Sequence, residues 1–178
     1  MRTSLVLTVI ADDRPGIVEK IADQILATGA NWEESRMARL GGKFAGLLRV
    51  SVDAARADAL AVELRALASD GLAIVVAHAI DAAPVVFRSL RLDLVGNDRP
   101  GIVRDISRVL ARRHVNIDEL ETGLSGAPMT GETLFRARVH LHVPSTVTLD
   151  DLRRELEALA GELMVDLALD DVEPTPAG

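Results

Sequence analysis

Two spacings of apolar residues alternate along the chain. Leu90, Leu92 and Leu94 occupy every second position of 87–96, as in a strand with one face turned inward. Ile102, Val103, Ile106 and Leu110 then follow at helical intervals. The same succession stands earlier, with a strand over Ser4–Ala11 and a helix marked by Ile17, Val18, Ile21 and Ile25 that Gly29 stops. Pro15 is expected at the first helical position, where its missing N–H costs nothing. Next come strands over Asn31–Leu40 and Lys43–Val52, turning at Gly41-Gly42. Asp53 is expected to cap a helix carrying Leu60, Leu64 and Leu67, and Leu72–Ile80 is expected to close the set. In the second half, strands are expected at His114–Leu124 and Glu132–Val143. A helix through Gly161 is expected to open on a capping box at Thr148 and Asp151, before a last strand at Met164–Asp170.

Each half therefore reads β-α-β-β-α-β, and a shift of 85 residues superposes them. Asp13-Arg14-Pro15-Gly16-Ile17-Val18 falls on Asp98-Arg99-Pro100-Gly101-Ile102-Val103, Asn31 on Asn116, and Glu34 on Glu119. A loop near Leu124–Gly131 lengthens the second copy. Two copies are too few for a solenoid, so the chain is a duplicated globular module. The expected bounds are 1–81 and 86–172, with a linker at 82–85 and a frayed tail at 173–178. Two helices among four strands pack on one face of an antiparallel sheet, which makes the fold class α+β with two ferredoxin-like modules.

Composition narrows the function. The 178 residues carry a formal net charge of -7 and only 2% aromatics. Gripping DNA or RNA needs a basic surface, and stacking on single strands needs rings, so direct nucleic-acid binding is not expected. The absence of cysteine excludes disulfides, thiol catalysis and Cys-ligated zinc. The start lacks a signal-peptide pattern and no apolar run approaches bilayer length, so the expected location is the cytoplasm, away from membranes.

The repeated loop is the candidate for chemistry. Gly16 lets a ligand or backbone approach closely, and the first N–H groups of the following helix are unpaired and partly positive. A small carboxylate suits that position. Asn31 starts the next strand and is expected beside the same end of the sheet, with Asp13 available for an ammonium group. Asp98, Gly101 and Asn116 repeat the set. The plainer reading, a helix cap and two turn residues, accounts for the same spacing.

The loop, with Gly-Ala-Asn-Trp-Glu-Glu-Ser-Arg-Met-Ala at 29–38 in a βαββαβ frame, resembles ACT-domain proteins. The similarity is greatest to the glycine cleavage system transcriptional repressor family, which consists of two ACT domains. It covers nearly the whole chain. ACT domains pair side by side and hold small amino acids between the first loop and the start of the second strand. By that resemblance the ligand-binding positions are Asp13, Gly16, Ile17 and Asn31, with Asp98, Gly101, Ile102 and Asn116. It implies a non-enzymatic regulator that needs no cofactor, senses glycine or serine, and controls a partner protein such as a transcription factor. The alternatives are an adaptor without ligand and a detached regulatory subunit of an amino-acid metabolic enzyme.

Other clusters promise less. His140 and His142 share a strand face with Arg136 and Arg138, which would repel a cation. Glu33-Glu34 and Asp118-Glu119 are neighbours on strands, so each pair is expected to diverge to opposite faces and not to work as acid and base. The outer sheet faces differ. The second copy places Arg91, Asp93, Arg136, Arg138, Asp166 and Asp170 there. The first places Val6, Leu47, Ala73, Val75, Ala77 and Ala79, an apolar set that predicts burial against a second chain in a homodimer.

Overall fold

A computed structural model of the chain describes residues 1–80, 86–126 and 133–172. The expected linker at 82–85, the added part of the loop beyond Gly126 and the tail at 173–178 lie outside the described residues. The chain divides into two compact units, Met1–Ala82 and Ala83–Gly178.

In the first unit the elements run β1 (Arg2–Asp12), α1 (Ile17–Ala27), β2 (Asn31–Leu40), β3 (Lys43–Asp53), α2 (Ala57–Ala66) and β4 (Leu72–His78). Single 3-10 turns flank α2 at Ala54–Arg56 and Leu67–Asp70. The second unit repeats the order with β5 (Phe87–Asn97), α3 (Ile102–Arg112), β6 (Asn116–Gly126), β7 (Thr133–Pro144), α4 (Leu149–Leu163) and β8 (Val165–Asp171). Strand order is β2-β3-β1-β4 in one sheet and β6-β7-β5-β8 in the other, every pairing antiparallel. Both sheets are the ferredoxin-like arrangement.

Alternation decides which face is covered. Leu5, Leu7, Val9 and Ala11 of β1 are buried with Leu48, Val50 and Val52 of β3, beneath Ile17, Ile21 and Ile25 of α1 and Leu60 and Leu64 of α2. Leu90, Leu92, Leu94, Ile102, Ile106 and Leu110 take the corresponding places in the second core. Leu or Ile at such a site contributes about 1.5–3 kcal/mol by leaving water, so helical and strand periodicity converge on one apolar layer per module.

Three local expectations are corrected. Pro15 precedes the helix, and Gly16 is the N-cap, in the left-handed region at φ 89°. Asp53 does accept from the Ala55 N–H, but it caps the 3-10 turn and not α2 itself. Thr148 makes no side-chain bond to the start of α4, so the capping box does not form.

Candidate functional site

The loop between β1 and α1 is held at both ends. The Asp13 N–H donates to the Gly42 carbonyl at 2.9 Å, fixing the loop on the β2–β3 turn. The Lys20 N–H donates to the Gly16 carbonyl at 3.0 Å and closes the first turn of α1. The second module repeats the construction: the Asp98 N–H donates to Thr133 and the Asp105 N–H to Gly101. Gly101 is likewise left-handed, at φ 102°, and neither glycine-capped helix receives a side-chain cap. The leading N–H groups of α1 and α3 thus remain available to an outside acceptor.

Beside Gly16 lies a cleft of about 280 Å³, lined by Arg14, Lys20, Glu19 and Asp70 among others. Lys20 Nζ sits 2.6 Å from Asp70, and the Arg14 guanidinium donates to the Asp70 carbonyl. The hydrogen bond from Lys20, then its charge, holds the Asp70 carboxyl below the usual carboxylate range. Arg14, Lys20 and Asp70 were not singled out by sequence. Arg14 is inside the repeated motif and could have been, whereas Asp70 comes from the far end of the α2 region and had no local signal.

The remaining candidates separate. Ile17 and Ile102 are 3% and 2% exposed, so their side chains belong to the cores and only their backbones reach the loop. The Asp13 carboxylate pairs with Arg39 of β2 at 3.2 Å. The second copy has Leu124 at the position corresponding to Arg39, and Asp98 has no ion pair among the described residues.

Asn31 is not at this end of the sheet. It faces Ser51 of β3, and Ser51 faces Ser4 of β1, eight residues back from Asp12. At the rise of a strand that is about 27 Å. Asn116 stands level with Ser89 by the same register. The expectation that each asparagine adjoins its own loop is therefore wrong. β1 and β2 both run antiparallel to β3, and α1 carries the chain back to the starting end before β2 begins. That consequence of a β-α-β crossover was available from the element order.

A second correction concerns the carboxylate neighbours. The β2–β3 register slips between Trp32 and Glu34, and the β6–β7 register slips between Ile117 and Glu119. This bulge interrupts the alternation of faces. Arg49 consequently meets both Glu33, at 3.3 Å, and Glu34, at 3.5 Å. The two carboxylates share this one arginine. Asp118 lies 3.8 Å from His142, whose ring stacks on Phe87. No cluster of three or more metal-ligating side chains occurs among the described residues.

Family models of the ACT domain match residues 3–77 and 90–161. The chain belongs to the ACT-domain family. It carries two ACT domains in tandem. The glycine cleavage system transcriptional repressor of Escherichia coli (strain K12) is 26% identical over 161 residues, covering 89% of this chain and 85% of that protein. The same repressor of Shigella flexneri matches equally. Among solved structures, a protein of unknown role from Galdieria sulphuraria superposes with a TM-score of 0.87 at 34% identity, over 97% of this chain and all of the other. A glycine cleavage system transcriptional repressor structure superposes at 0.71 with 20% identity, over 98% of this chain and 99% of the other, and shares the fold. The protein is thus a regulatory ACT protein related to the glycine cleavage repressor. No helix among the described residues is long and apolar enough to cross a membrane.

The two ACT modules differ on their outer sheet faces. In the second, Arg91 bridges Asp93 at 2.7 Å and Asp170 at 3.3 Å, and Arg138 reaches Asp93 at 3.3 Å. In the first, Leu47 and Val75 oppose Thr8 across the ladder and are 54% and 65% exposed.

Proposed function

We propose that the protein is a non-enzymatic sensor of a small amino acid, glycine or serine, which controls a partner protein such as a transcription factor. The observation that carries the reading is the duplicated loop: a left-handed glycine opens an uncapped helix at the same place in both modules. A ligand carboxylate would accept from those N–H groups. In the second module Asp98, without an ion pair among the described residues, is available for the ammonium. Asn31 and Asn116 stand at the opposite ends of their own sheets, so neither completes the loop site of its own module. The kinship with a transcriptional repressor, together with the acidic net charge, supports action through a partner protein instead of direct contact with DNA.

Calorimetry of the full chain against the common amino acids tests the proposal. Saturable binding of glycine or serine, weakened in Asp98→Ala, is expected. No heat from any amino acid removes the sensor role. A second reading, an adaptor without ligand, is favoured by the Arg39 partner of Asp13 in the first module, and would follow from that negative result.

The protein is also proposed to be a homodimer through the outer face of the first sheet. Exposed Ile10, Leu47 and Val75 form an apolar surface where a one-sided sheet should be polar. A monomer by light scattering at micromolar concentration would overturn this.

A further inference from the structure

The helical side of the second module carries a feature that amino-acid sensing does not use. A groove of about 580 Å³ runs between α3 and α4. Arg99 stands at its loop end, and Arg108 and Arg112 line it one helical turn apart. None of these three has an ion pair or hydrogen-bonded partner among the described residues. Of the acids around them, Asp105 and Glu155 are held first by other arginines and only secondarily feel the charge of Arg99, Arg108 and Arg112, while Glu162 also lines the groove. Asp105 takes Arg104 at 2.8 Å, and Glu155 of α4 is gripped by Arg113 at the end of α3. Both carboxyls lie below their ordinary range, Asp105 first through the bond from Arg104 and Glu155 first through the bond from Arg113. Arg104 and Arg113 are therefore spent, and Arg99, Arg108 and Arg112 outnumber the one remaining acid of the lining, Glu162. Val109 and Leu159 give the groove an apolar floor.

The duplication supplies an internal comparison. At the 85-residue offset, Arg104, Arg108 and Arg112 correspond to Glu19, Asp23 and Ala27. The inward positions stay alike, with Ile102, Ile106 and Leu110 against Ile17, Ile21 and Ile25. Core packing was kept while the outward face changed sign, so packing does not account for the arginines. In a chain of net charge -7, three neighbouring guanidinium groups that no carboxylate among the described residues grips directly are a local exception.

We infer that this groove binds a small organic di- or triphosphate, with its phosphoryl groups on Arg99, Arg108 and Arg112 and its body on Val109 and Leu159. The guanidinium fork matches phosphate oxygens two at a time, and two arginines one turn apart can take adjacent phosphoryl groups of one molecule. The volume falls within the range of small-molecule sites, about 300–1,000 Å³. A nucleic acid would carry its other phosphates over a surface that is acidic overall. This site is independent of the amino-acid reading, and each is tested with ligands the other does not involve.

The test is calorimetry of the full chain at low salt with ADP, ATP, pyrophosphate and adenosine. ADP and ATP should bind saturably at one site per chain, and adenosine should bind much more weakly. The double variant Arg108→Ala/Arg112→Ala should weaken binding at least about tenfold. Arg65→Ala, an exposed cation of the first module, should leave it unchanged. Lysine at both positions keeps the charge but loses the fork, and should give an intermediate affinity if the arginines bind phosphate directly. The inference is overturned if neither nucleotide binds, if the double alanine variant with an unchanged circular dichroism spectrum binds as well as the parent, or if a DNA duplex or a glutamate-rich peptide displaces the nucleotides from the groove at lower concentration.

Discussion

Replacing Gly16 by alanine isolates one physical term. The residue caps α1 at φ 89° and ψ -1°. A methyl group placed there meets nothing nearer than a Glu19 carboxylate oxygen at 3.8 Å, an ordinary contact. Sterics with the rest of the module therefore contribute nothing, and the cost is the left-handed backbone itself, about 1–2 kcal/mol for a residue with a Cβ. Alanine also restricts the unfolded chain, which returns about 0.4–1 kcal/mol. The net loss should be about 1 kcal/mol. For a module of this size that lowers the melting temperature by about 4–8 °C. Urea denaturation followed by circular dichroism, with the slope of the transition unchanged, measures it. Gly46→Ala is the contrasting case. It has no positive φ, but its Cβ would lie 2.5 Å from the Arg36 carbonyl oxygen and 2.8 Å from the Met37 Cα. Backbone cannot yield there without opening the β2–β3 ladder, so its loss should reach the upper part of the overpacking range, about 3 kcal/mol. If Gly16→Ala proves as stable as the parent, or costs more than Gly46→Ala, the loop is not held in the conformation described and the argument for an exposed helix start fails with it.

Other consequences are open to measurement. Leu64→Ala, at a fully buried position of α2, should cost about 2–5 kcal/mol by chemical denaturation, with Leu156→Ala in α4 behaving alike. Leu47→Asp with Val75→Asp should turn a dimer into a monomer by light scattering without unfolding the module, since both side chains face outward. The Asp70 carboxyl should titrate below an ordinary aspartate in a carbon-detected NMR titration. Its pairing with Lys20 stabilises the fold above the ordinary carboxylate range and is lost as pH falls through the lowered value; in Lys20→Ala the titration should return to the ordinary range.

The elements and the two cores were legible in sequence because they depend on near neighbours. The phases of Ile17, Ile21 and Ile25, and of Leu90, Leu92 and Leu94, place one face of a helix or strand inward whatever lies opposite. The duplication was legible for the same reason, since Asp13–Val18 and Asp98–Val103 are contiguous strings. What belongs together across elements was not. Register across three strands sends Asn31 to the end of the sheet away from Asp13. A one-residue bulge swings Glu33 and Glu34 onto the same arginine. Asp70 reaches Lys20, Arg39 reaches Asp13, and Arg113 reaches Glu155 only because the chain has folded over distances no local pattern encodes. Periodicity determines which way a side chain points. The tertiary structure alone decides what it points at, because strand register and helix docking are set by the sum of the core contacts and not by the residues that later share a site.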